Sequence, residues 1–179
     1  MRLLRLPAAL LIAGLLVAVD VESKSWATSD LRRRGARVVI ENHLVLRFQL
    51  NSGIAFGLFT DSLHRKKGAI LIAYSAVMTA GLGLLLALRL VRRPRPGWLV
   101  PGGLTLLLAG TTGNMLDRLR LGAVVDFIDL TLLGLLRWPA FNLADAYLAV
   151  GVVLCATGLV LTLVRENRAR AGAAAARAR

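Results

Sequence analysis

Residues 110–145 read GTTGNMLDRLRLGAVVDFIDLTLLGLLRWPAFNLAD, and the organisation of the whole chain turns on them. They set Asn114, Asp117, Arg118, Asp126, Asp129, Asn142 and Asp145 between two long apolar runs. Polar groups that close to hydrocarbon are expensive unless they are paired or put to use. Asp126 and Asp145 are candidates for a carboxylate pair that activates a water. Two carboxylates sharing a site do not easily both ionise, so one tends to keep a proton while the other stays charged. Such a pair can hydrolyse an amide without a nucleophilic side chain. A lone Asp is more often a helix cap or an arginine's partner, so the flanking segments carry the decision.

Both flanks read as membrane spans. Trp98 to Leu116 and Phe141 to Val164 are apolar runs, and upstream Gly68 to Leu90 gives another of 23 residues, long enough to cross a bilayer at about 1.5 Å per residue. Met1 to Val21, with Arg2 and Arg5 before LPAALLIAGLLVAV, fits either a cleavable signal peptide or a first membrane helix. The absence of a small-x-small cleavage site favours a retained helix whose far end carries Asp20 and Lys24, an i,i+4 pair. Taken alone, that pair reads as a modest helix-end ion pair. At 179 residues, 56% hydrophobic and a mean hydropathy of +0.65, the chain is too apolar for a soluble protein of its size.

Ser25 to Lys67 is the polar part. There His43 to Asn51 alternates, with Leu44, Leu46, Phe48 and Leu50 on one face, and Val38 to Ile40 is placed to pair with it in a small antiparallel sheet. Asn51-Ser-Gly-Ile-Ala-Phe-Gly57 follows, with Gly53 and Gly57 permitting unusual backbone geometry and Asn51 offering an amide. Neither His43 nor His64 has metal-ligand spacing to other donors. Cys155, the single cysteine, lies in a spanning run and reads as a packing residue. The predicted fold is an all-α membrane protein of four transmembrane helices, at about 4–21, 68–90, 98–116 and 141–164, with an extracytoplasmic β region over about 37–60. Residues 1–165 form one domain in this reading, and 166–179 a basic tail that is frayed or disordered.

The net charge of +13 is not a nucleic-acid signal, because the basic residues cluster beside the apolar runs as orientation and headgroup contacts. The N-terminus, the 89–95 connection and the tail hold eleven basic residues against one acid, while residues 22–67 hold nine against four and residues 117–145 three against four. The positive-inside rule then puts both termini in the cytoplasm and every unusual polar group on the outer face. On that face a strand through Ala123 to Ile128 places Asp126 among apolar neighbours, which suits a raised pKa. Asn142 and Asp145, spaced i,i+3, share a helix face.

Together Asp20-x-x-x-Lys24, NSGIAFG at 51–57, GTTGNMLDR at 110–118, VVDF at 124–127 and FNLAD at 141–145 resemble the lipoprotein signal peptidase (signal peptidase II) family, in its order and spacing over nearly the whole chain. Val21 and Ala109 depart from the family's usual Gln and Gly. The resemblance implies an aspartic membrane peptidase that removes signal peptides from diacylglyceryl-modified prolipoproteins, cutting before the lipid-bearing cysteine. It implies Asp126 and Asp145 as the catalytic pair, with Asn51, Gly53, Asn114, Arg118 and Asn142 lining the site and Asp20, Lys24 and Asp117 supporting it. It implies no metal or cofactor, a lipid-embedded substrate and a monomer in the cytoplasmic membrane. The competing readings are a small transporter with proton-relaying carboxylates, which the apolar middles of the second and fourth runs and the lack of inverted repeats disfavour, and a structural subunit.

Overall fold

A computed structural model describes residues 5–53, 64–92, 97–132 and 134–177. Residues 54–57 of the NSGIAFG segment, the rest of the expected β region to residue 60, and Pro94 and Pro96 lie outside the described residues. In chain order the elements are α1 (Arg5–Trp26), a π-helical turn (Ala27–Leu31), α2 (Arg32–Arg34), β1 (Arg37–Ile40), β2 (Leu44–Asn51), α3 (His64–Arg92), α4 (Leu99–Leu121), β3 (Val124–Leu132), β4 (Leu136–Arg137) and α5 (Leu143–Arg177). Among the described residues four helices are long and apolar enough to cross a membrane, those built on α1, α3, α4 and α5.

Helix α4 is the hub, packed against α1, α3 and α5. Its most apolar window is 56% buried, against 11–17% in the other three, whose outer faces are left apolar as lipid requires. Close approach of α4 to α5 depends on small residues. A Cβ added at Gly103 would lie 2.6 Å from Cys155 Sγ, and one at Gly151 would lie 2.9 Å from Gly103 O. Between membrane helices, where hydrophobic burial drives little, such close backbone contact is a main source of packing energy.

All four spans run past their expected ends, α3 by a few residues on either side of 68–90. Helix α1 reaches Trp26, and α4 reaches Leu121, where Gly122 at φ 69° closes it by donating its N–H to Arg118 O at 3.0 Å. Both far ends carry polar residues, Lys24 in α1 and Asp117 in α4, and inside the bundle they find each other. The tail is helical through Arg177. Beyond α1, Thr28 Oγ1 donates to Lys24 O at 2.8 Å and Ser29 Oγ to Trp26 O at 3.1 Å, hydroxyl back-bonding that suits the wider turn at Ala27–Leu31.

The sheet, ordered β1-β2-β3-β4 and antiparallel throughout, lies at the end of the bundle where α1 and α4 finish and α3 and α5 begin. Ala27, Leu31, Val125 and Phe127, with Leu46 and Phe48 against them, form the small core that docks it onto the π turn. Its β2–β3 register is interrupted between Leu46↔Ile128 and Gln49↔Asp126, which gives β2 one extra residue. Asn51 therefore sits opposite Val124, one diagonal step from Asp126. Without the extra residue it would face position 123 and point to the other side of the sheet from Asp126.

Candidate active site

Asp126 and Asp145 come from different elements, β3 and the first turn of α5, and Asn142 joins them. Asn142 Nδ2 donates to Asp126 Oδ1 at 2.8 Å. Asn142 Oδ1 accepts the Asp145 N–H at 3.0 Å, and the Asn142 N–H donates to Asp145 Oδ2 at 3.2 Å. This reciprocal pair is a capping box, with Asn142 as the cap and Asp145 three residues on, so Asp145 is fixed by the geometry that starts α5. Phe141 pairs with Ile128 across a β-bridge and brings the start of α5 beside β3.

Each carboxylate has a second amide. Asn51 Nδ2 donates to Asp126 Oδ2 at 3.0 Å, and Gly53 N–H donates to Asn51 Oδ1 at 3.0 Å, which orients the amide nitrogen towards the carboxylate. Asn114 Nδ2 donates to Asp145 Oδ1 at 2.8 Å, while Asn114 Oδ1 accepts Lys24 Nζ at 2.9 Å and Asn142 Nδ2 at 3.2 Å. Lys24 can only donate, so it dictates which end of the Asn114 amide faces Asp145.

Behind this front lies a buried ion cluster. Lys24 Nζ contacts Asp20 Oδ2 at 2.8 Å and Asp117 Oδ2 at 3.1 Å, with Lys24 3% and Asp20 0% exposed. Asp20 Oδ1 accepts the Ala144 N–H at 2.9 Å, and Asp117 Oδ2 accepts the Val125 N–H at 3.0 Å. The pair that reads in sequence as a helix-end contact is thus a junction of α1, α4, α5 and β3, unexposed to water. Gly113 leaves the room: a Cβ there would strike the Asp20 carboxylate.

The front opens on a cavity of about 620 Å³ lined by Asn51, Gly53, Asn114, Arg118, Asp126 and Asp145 on its polar side. Its apolar walls come from Leu130, Leu132 and Trp138 of the β3–β4 hairpin and from Ala146, Leu148, Ala149 and Val150 of α5. Arg118 stands at this cavity, with Nη1 3.4 Å from both Ser75 Oγ and Asn114 O and in the field of the Asp145, Asp117 and Asp126 carboxylates. Ser75, buried on α3, escapes sequence reading because a serine inside an apolar run carries no signal there. The hairpin wall escapes it too, since its residues are apolar and gain meaning only from position.

Burial pushes the Asp126 carboxyl up to about 6. The Asn51 hydrogen bond pulls it back, the nearby Asp145 charge raises it, and Asn142 and Lys24 lower it. A buried carboxyl that titrates near neutrality, amide-linked to a second carboxylate at the wall of a cavity, is an arrangement able to pass a proton in each direction.

Residues 12–161 match the profile of Peptidase_A8, signal peptidase (SPase) II. The lipoprotein signal peptidase of Moorella thermoacetica is 33% identical over 159 residues, covering 89% of this chain and 97% of that protein. The one from Syntrophotalea carbinolica is 34% identical over 153 residues, covering 85% and 90%. Among solved structures, a bacterial membrane enzyme superposes with a TM-score of 0.70 at 25% identity over 90% of both chains. With the family profile spanning most of its length and full-length relatives above 30% identity, the chain belongs to the signal peptidase II family of membrane peptidases.

Proposed function

We propose that this protein is an aspartic endopeptidase of the cytoplasmic membrane that removes signal peptides from diacylglyceryl-modified prolipoproteins, cutting before the lipid-modified cysteine. The observation that carries the reading is the tethering of Asp126 and Asp145 to one asparagine, Asn142, at the wall of a cavity that is polar towards the bundle and apolar towards α5 and the hairpin. A lipidated peptide needs both surfaces. Membership of the signal peptidase II family supports the substrate class.

In this mechanism Asp126 holds the shared proton, in keeping with its upward shift, and donates it to the scissile carbonyl oxygen as negative charge develops there. Asp145 takes a proton from the attacking water. Asn51 and Asn114 hold the outer oxygens of the pair, so neither carboxylate must reorganise during the reaction. The chemistry as written uses these carboxylates and water. The enzyme acts as a monomer with both termini in the cytoplasm, the charge distribution of its connections supporting this orientation, so that the site opens at the outer face.

The test is cleavage of a diacylglyceryl-modified prolipoprotein by the purified chain in detergent. Wild type cuts it and leaves the unlipidated precursor intact, whereas Asp126→Asn and Asp145→Asn each abolish turnover while keeping the wild-type melting profile. Near-normal turnover by either variant would overturn the dyad, and equal cleavage of the unlipidated precursor would overturn the substrate assignment.

A further inference from the structure

The β3–β4 hairpin has a tip of the wrong composition for a water-facing turn. Residues 130–138 read LTLLGLLRW, where hairpin turns normally collect Asn, Asp, Ser or Lys. The turn closes with Leu135 N–H donating to Leu132 O at 3.0 Å, and Gly134 at φ 67° supplies the left-handed position it needs. Around it Leu135 is 90% exposed, Leu136 61%, Trp138 50% and Leu132 40%. Residue 133 lies outside the described residues.

This tip is held firmly at its base. Thr131 pairs with Arg137 and Leu132 with Leu136, and Trp138 N–H donates to Leu130 O at 2.7 Å. Arg137 clasps the buried Asp129 with Nε at 3.1 Å and Nη2 at 2.6 Å. A fixed apolar projection of this kind would expose several large side chains to water with nothing gained.

Its surroundings say what covers it. The hairpin follows α4 and precedes α5, joining the ends of two helices that are long and apolar enough to cross a membrane. The cavity wall it forms with Leu132 and Trp138 continues directly into Ala146, Leu148, Ala149 and Val150 of α5. Val150, Val152 and Val153 of α5 are in turn exposed as a spanning helix's lipid face must be. The apolar tip is thus continuous with the lipid-facing surface, and its one tryptophan is of the type that gathers at membrane interfaces.

We infer that the β3–β4 hairpin is a membrane anchor whose tip, Leu135 and Leu136 with Trp138 at its shoulder, is seated among the lipid acyl chains of the leaflet on the sheet side. It is the lipid-side wall of the cavity mouth and holds that mouth at the bilayer. The assignment rests on the hairpin's exposed apolar tip and its continuity with the spanning helix α5, and stands whether or not the proposed peptidase chemistry is correct.

The test uses the full chain in phosphatidylcholine–phosphatidylglycerol vesicles without substrate. An environment-sensitive fluorophore is placed on Leu135→Cys in a Cys155→Ala background, with a label on Ala171→Cys as the reference. The 135 label is expected to shift to the blue, to be quenched by nitroxide on lipid acyl chains and to be shielded from iodide, while the 171 label shows the reverse. A second preparation, Trp26→Phe with Trp98→Phe, leaves Trp138 as the one tryptophan, and lipids brominated on their acyl chains should quench it. Iodide quenching at 135 without nitroxide quenching would place the tip in water and overturn the inference. A blue shift that vanishes as protein is diluted into excess lipid would assign the cover to a second copy of the chain and overturn it equally.

Discussion

Replacing Lys24 by Met separates a surface ion pair from a buried junction. The substitution keeps an unbranched side chain of similar length but removes a cation that contacts Asp20 at 2.8 Å, Asp117 at 3.1 Å and Asn114 at 2.9 Å. An exposed i,i+4 pair would cost about 0–1 kcal/mol to lose. Here two buried carboxylates would be left without their counter-charge, and breaking a buried pair from one side costs about 3–5 kcal/mol. At roughly 2–4 °C per kcal/mol for a chain of this size, the melting temperature should fall by roughly 6–20 °C. Intrinsic tryptophan fluorescence during heating in detergent micelles reads this directly. Adding Asp20→Asn should recover part of the loss, because Asn keeps an oxygen for the Ala144 N–H while removing one stranded charge. A fall of less than about 3 °C for Lys24→Met, or a strictly additive double variant, would refute the buried-junction account.

Asp126 protonated below about 6 and ionised above it should give kcat/KM a basic limb near that pH, falling about tenfold per unit beyond it, and Asn51→Leu, which removes a hydrogen bond favouring the charged form, should move the limb upward. A limb unmoved by that change, in rates measured from pH 5 to 9, would count against Asp126 as the proton carrier. Gly113→Ala should destabilise the protein by about 1–3 kcal/mol, because the new methyl meets an Asp20 carboxylate pinned by Ala144 and Lys24, whereas Gly14→Ala, with nothing within 4 Å, should be neutral or stabilising in the same melting assay. In a Cys155→Ala background, Ser52→Cys should react with a membrane-impermeant thiol reagent in intact cells and Ala171→Cys only after permeabilisation, and the reverse pattern would invert the proposed orientation.

Spans are legible in sequence because lipid demands about twenty apolar residues in a row, a local property that no tertiary contact can disguise. The alternation through Leu44 to Leu50 and the motif residues Asp20, Lys24, Asn51, Asn114, Asn142 and Asp145 could also be picked out, since a polar side chain beside hydrocarbon is conspicuous on its own. What those residues do to one another was not local. Lys24 and Asn114 are 90 positions apart, and Asp20 meets the Ala144 N–H across 124. Only the packing of α1 against α4 and α5 turns a pair that looks like a helix end into a buried junction, because burial, not spacing, sets what an ion pair is worth. The diagonal between Asn51 and Asp126 depends on one extra residue in β2, and hydrophobic alternation cannot show a register shift that exists only between two strands. The apolar hairpin at Leu135 was invisible for the opposite reason: leucines in a row look like any core until the fold leaves them exposed on a hairpin between two spans.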